Sequence, residues 1–97
     1  MNDGERIKRA VVSYATDNPD ALPEETVERL ERATPREDSE GALRIGRWLL
    51  ETRDGDPVLT HRERGEGSIF RITVIHLEET DEGWRVRDVS EEEHRRR

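Results

Sequence analysis

The chain has no cysteine. That excludes disulfides, thiolate nucleophiles and cysteine-ligated zinc, and it suits a reducing compartment, so a cytoplasmic location is expected. Aromatic residues are scarce: two Trp, one Tyr and one Phe. Lysine is nearly absent, with Lys8 alone among the arginines. No stretch approaches the ~20 apolar residues of a membrane-spanning helix, and no apolar run follows the first N-terminal charges. Neither a membrane partner nor a signal peptide is therefore expected. Only 30% of the residues are hydrophobic, so the core must be thin and must use nearly every large apolar side chain.

What the chain has instead is charge. Of 97 residues, 42% are charged, with 24 acidic against 17 basic and a net charge of −7. The length suits a single domain over residues 1–97. Low hydrophobicity with high charge can signal disorder, but the apolar residues within 5–89 recur at regular spacing, so that part is expected to fold. The charged tail 90–97 is expected to fray. Acids and arginines alternate, as on an ion-paired surface of an acidic protein. The balance disfavours nucleic acid as a partner, because phosphate binding needs a positive footprint.

Ile7, Ala10, Val11 and Tyr14 fall on one helical face over about 5–16, and Asn18-Pro19 ends that helix. A second helix is expected over 23–33, with Pro23 at its first position and Glu24 and Glu25 at the positive end of its dipole. Its narrow apolar stripe is Val27 and Leu30, and Thr34-Pro35 stops it. Residues 36–41 read as a loop. Residues 43–53 fit either a helical face or a strand, and the strand from about Ile45 is favoured by the turn Asp54-Gly55-Asp56-Pro57 that follows. Val58–Arg64 is the return strand. The richest β-branched and aromatic stretch runs from Ser68 to Val89, split by the turn Thr80-Asp81-Glu82-Gly83. The expected fold class is α+β, with two N-terminal helices packed on one face of a four-stranded antiparallel β-meander.

Three turns set the registers. Pairing Arg53 with Pro57, Arg64 with Ser68 and Glu79 with Gly83 gathers Trp48, Leu50, Val58, Phe70, Ile72, Val74 and Val86 on one face, with Trp84 at its edge. The helices are expected to cover that face with Ile7, Val11, Tyr14, Val27 and Leu30. The opposite face mixes Leu59, Ile69, Ile75 and Leu77 with Arg71 and Arg87. Those six residues suit an interface with a second copy or another protein, where arginine is enriched. They suit equally an ion-paired solvated sheet face.

The helix carrying Ile7-Lys8-Arg9-Ala10-Val11-Val12-Ser13-Tyr14 and the final strand Trp84-Arg85-Val86-Arg87-Asp88-Val89 resemble the two ends of nuclear-transport-factor-two-like (SnoaL-like, cystatin-like) domains. The resemblance covers about a third of the chain and rests on generic motifs. It implies a curved antiparallel sheet wrapped on helices, often dimeric through the sheet. That family hosts enzymes, ligand binders and adaptors alike, so it implies no single activity.

Three groups of residues are candidates for chemistry. His76 shares the face assigned to the helices, Asp88 is diagonal to it at roughly 7–8 Å, and Tyr14 approaches from the first helix. A carboxylate, an imidazole and a phenol at a pocket mouth make an acid–base site, and the alternative is a hydrogen-bonded pair at the sheet margin. Trp48, Arg62 and Phe70 are cross-strand neighbours in the assumed registers and suit either an aromatic-lined ligand pocket or core-edge packing. His61, His76 and His94 have no metal-ligand spacing, and Gly65-Glu66-Gly67-Ser68 lacks the lysine and following helix of a phosphate loop. Neither a metal nor a cofactor is expected.

The role these observations point to is a non-catalytic binding or protein-interaction module, with self-association through the mixed face, as a homodimer, among its forms. The alternative is a small-ligand-binding protein or enzyme with a pocket between helices and sheet. A helix-turn-helix regulator is a minor third reading, because the would-be recognition helix carries Glu24, Glu25, Glu28 and Glu31.

Overall fold

A computed structural model describes residues 3–65, 67 and 69–95. The fold is α+β. Helices α1 (Asp3–Asp17) and α2 (Glu24–Arg32) precede the strands β1 (Pro35–Glu37), β2 (Leu43–Ile45), β3 (Trp48–Arg53), β4 (Asp56–Arg64), β5 (Ile69–Thr80) and β6 (Gly83–Arg95). The strands form one antiparallel sheet in the order β1-β2-β3-β4-β5-β6, so every strand pairs with its neighbour in sequence.

Both helices fall where their apolar spacing predicts. In α1 the buried residues Ile7, Val11 and Ala15 recur every four positions, while Tyr14 lies beside this stripe and is only half-buried. In α2 Leu30 is buried and Val27 packs against the core. Lys8 reaches from α1 to the carbonyl of Ala33, where its Nζ donates at 2.9 Å. A cation there complements the negative end of α2 and satisfies a carbonyl left open by the last turn.

The sheet has six strands rather than four. The added pair, β1 and β2, takes up part of the segment read as a loop. The Asp38 carboxylate accepts from the amides of Glu40 and Ala42 and from the Arg44 guanidinium. A side chain that folds the loop onto itself in this way substitutes for apolar patterning, which three-residue strands are too short to show. The next turn is Gly46-Arg47, since Ile45 pairs with Trp48. Gly46 has φ of +61°, and a Cβ there would stand 3.2 Å from the Cβ of Ala33. A side chain there would be strained by that φ and would press on Ala33, so glycine keeps the end of α2 close to the turn.

The registers correct the sequence reading. Arg53 pairs with Asp56, not Pro57, because Asp54 and Gly55 both have positive φ and close a two-residue turn. That one-residue difference turns β3 over relative to β4. Thr80 likewise pairs with Gly83 across another two-residue turn, and a bulge then shifts the β5–β6 ladder, with Leu77 opposite Val86 but His76 opposite Asp88. Arg87 is the extra residue. Arg64 pairs with Phe70. Its expected partner Ser68 lies outside the described residues. β6 runs to Arg95, so residues 90–95 of the expected fraying tail are strand, held by a ladder that extends from Ser90–Val74 to Arg95–Ile69.

The helices therefore cover the face opposite to the one expected. The core contains Ile7, Val11, Ala15, Leu22 and Leu30 from the helical half, against Ile45, Trp48, Leu59, Ile75 and Leu77 from the sheet. Leu50, Trp84, Val86 and Val89 pack around it. The far face carries Val58, Thr60, Ile72, Val74 and His76. Val58 and Val74 are fully buried there although no helix covers them. The Arg53 Nη1 donates at 2.9 and 2.8 Å to the two carboxylate oxygens of Glu92, joining β3 to β6 across that face. Sheet twist brings such diagonally placed positions together, and the resulting curvature lets neighbouring side chains enclose the two valines.

Candidate functional site

One row of the sheet forms the floor of a cleft. Trp48 on β3 and His61 on β4 are cross-strand neighbours with ring centroids 5.0 Å apart and planes tilted by 33°. His61 pairs with Thr73, and Thr73 with Glu91, so the row continues across β5 and β6. Side chains paired in this way lie on one face, here the face of the helices. Above the row, α2 contributes Thr26, Arg29 and Leu30 from one helical face, and Ala33 follows at its C-cap. The Gly46-Arg47 turn closes one side and Ala21–Pro23 the other. The space enclosed is about 470 Å³.

Its depth is apolar, with Leu22, Leu30, Ile45 and Trp48 all buried. Its rim is charged, with Arg29 and Arg47 against Glu63 and Glu91. Burial holds the His61 pKa below its usual value. Glu63 opposes the shift, while Arg47 and Arg29 add to it by disfavouring a further positive charge. At neutral pH the ring is therefore neutral and presents one donor and one acceptor nitrogen. Among the described residues no hydrogen bond joins His61 to a carboxylate, so the ring lacks the oriented partner of a catalytic dyad. An aromatic wall, a neutral imidazole and a hydroxyl beneath a charged rim can hold a small molecule with an apolar body and a polar edge.

The residues singled out from the sequence do not assemble as expected. His76 and Asp88 are direct cross-strand partners rather than diagonal ones, but they lie on the far face, where His76 Nε2 is 3.0 Å from Ser90 Oγ. Tyr14 is on α1, with the sheet between it and His76, so no acid–base group of these three forms. Trp48, Arg62 and Phe70 are likewise separated. Trp48 lies in the cleft, while Arg62 pairs with Ile72 and Phe70 with Arg64 on the far face. Of the proposed interface residues, Leu59, Ile75 and Leu77 are core residues beneath the helices. Ile69 is half-buried at the start of β5, Arg71 is exposed opposite Glu63 and Glu93, and Arg87 is exposed 3.9 Å from Asp56. The sequence reading missed Arg29, Arg47, His61, Thr73 and Glu91 as neighbours in a site. The signal that brings Trp48 and His61 together is the two-residue Asp54-Gly55 turn, which aligns them. No group of His, Asp and Glu among the described residues is arranged to hold a metal ion. No described helix is long and apolar enough to cross a membrane. Compared with protein-family models, curated proteins and solved structures, the chain matches none.

Proposed function

We propose that this chain is a small non-catalytic binding domain whose ligand enters the cleft between α2 and the sheet. The observation that carries the proposal is the cleft itself, about 470 Å³ with a buried apolar depth and a charged rim. That volume falls within the ~300–1,000 Å³ of small-molecule sites. The ligand class is a compact aromatic or alicyclic molecule that packs on Trp48 and turns a polar edge toward His61 and Thr73. Two helices on one face of a curved antiparallel meander also fit the cystatin-like comparison, and a helix-side pocket supports the ligand-binding side of that comparison. The interaction module that associates through the mixed face loses three of its four apolar residues, since Leu59, Ile75 and Leu77 are covered by the helices and Ile69 alone is left. The regulator reading gains nothing from α2, whose exposed residues include Glu24, Glu25, Glu28 and Glu31.

The test is a titration with a panel of one-ring and two-ring aromatic acids, amines and neutral fragments, followed by backbone amide NMR. Hits are expected to shift Gly46, Trp48, His61 and Thr73 together and to saturate. Trp48→Leu, which keeps an apolar side chain, is expected to weaken the best hit about tenfold or more, as loss of an aromatic contact plus buried area would. Hits that shift only surface amides, or that bind Trp48→Leu unchanged, would remove the proposal.

A further inference from the structure

A second concavity, about 310 Å³, lies on the far face and has the opposite electrostatic character from the chain as a whole. Arg44, Arg47, Arg53 and Arg62 line it above Thr60, with Glu51 as its single carboxylate. In a protein of net charge −7, four guanidiniums around one depression need a reason. Two have internal partners. Arg44 is bound to Asp38 at 2.8 Å and Arg53 to Glu92 at 2.8 Å. Glu51 accepts from the Thr60 hydroxyl at 3.2 Å. Arg47 and Arg62 make no ion pair among the described residues.

Register and turn together gather those two. Leu49 pairs with Thr60, which places Arg62 two residues further along β4 on the same face, and the Gly46-Arg47 turn brings Arg47 into the same depression. Two like charges gathered in one depression without a counter-ion repel each other. An anion shared between them reverses the sign of that interaction, and the planar fork of each guanidinium suits a group with several oxygens. We propose that this groove is an oxyanion site for a phosphate or phosphoryl group, held between Arg47 and Arg62, with the paired Arg44 and Arg53 forming its walls. Thr60, nearly buried and already bonded to Glu51 and to the carbonyl of Leu49, fixes the floor. The groove shares Arg47 with the rim of the cleft under α2, whereas Thr60 and Arg62 belong to the groove alone.

The experiment is a titration of the whole chain with inorganic phosphate at low ionic strength, followed by amide NMR, with sodium chloride at matched ionic strength as the control. Saturable shifts at Arg47, Thr60 and Arg62 are expected, and chloride should not reproduce them. Arg62→Gln is expected to weaken phosphate about tenfold or more, the scale of a lost charge-assisted contact. The same substitution is expected to raise the melting temperature at low salt without phosphate, because it removes one of two neighbouring like charges. A purely structural role for Arg62 predicts a fall instead. Phenyl phosphate binding more tightly than inorganic phosphate would identify the phosphoryl group of a larger molecule as the ligand, and equal binding would identify free phosphate. Shifts that do not saturate, shifts that chloride reproduces, or an Arg62→Gln variant that binds phosphate as the parent does would overturn the assignment.

Discussion

At the scale of single residues, His61 connects the cleft to stability. Its pKa lies below 6.5 in the folded chain, so between the two values the unfolded chain binds more protons. Stability is then fully present above pH 6.5 and falls as the pH drops through the lowered folded value. His61→Gln is expected to flatten this slope. Urea unfolding of both proteins, well above and moderately below pH 6.5, would check it, and equal slopes would show that the ring is not withheld from protonation. Asp38 and Glu92 act in a more acidic window. The Arg44 contact lowers the Asp38 pKa, with help from the amides of Ala42 and Glu40, and the Arg53 contact lowers that of Glu92. What they contribute is present above the usual carboxylate range and is lost as the pH falls through their lowered values.

At the scale of elements, the two faces of β4 and β5 look alike in sequence but differ in what covers them. Leu59 and Ile75 meet the helices, while Phe70 is half-buried on the far face. Ile75→Ala is therefore expected to cost about 2–5 kcal/mol, the range of a large-to-small change in a packed core. Phe70→Ala is expected to cost distinctly less. Chemical denaturation of the two variants ranks them, and the reverse order would place the core on the other face. This is also where reading from sequence stopped. Helix spans, the β4 and β5 spans and turn positions followed from the spacing of Ile7, Val11, Val27 and Leu30 and from Asp54-Gly55 and Thr80–Gly83. Turn length did not. Allowing three loop residues instead of the two at Asp54-Gly55 moved Trp48 and Leu50 to the wrong partners and hid the Trp48–His61 pair. The bulge at Arg87 left no mark because both faces of the hairpin carry apolar residues. β1 and β2 were missed because Asp38, not periodicity, builds their hairpin. Without the registers, no reading could bring Arg29, His61 and Glu91 to one cleft.

At the scale of the whole molecule, a chain with a thin core uses curvature as well as helices to bury apolar surface. The pair Arg53–Glu92 spans the far face from the third strand to the sixth, the face on which Val58 and Val74 are buried outside the helix-covered core. Both partners are partly exposed, so their direct coupling is expected to be modest, about 0.5–1 kcal/mol. A double-mutant cycle with Arg53→Ala and Glu92→Ala measures it, and the coupling should shrink as salt is raised. No coupling at low salt would mean that the curvature is set by backbone twist alone.

The bulge at Arg87 has a consequence beyond register. β6 is the longest strand and stands at the margin of the sheet, with its outer backbone groups unclaimed by any further strand of this fold. A long, regular margin of that kind templates the addition of further chains and, repeated, the growth of fibres. The extra residue breaks the regular spacing of donors and acceptors along β6, and Glu91-Glu92-Glu93 places three like charges in succession beyond it. At the opposite margin β1 is three residues long and begins with proline, which has no amide hydrogen to offer. Both ends of the sheet are poor templates, so a protein with little core to spare is guarded against polymerising through its own edges.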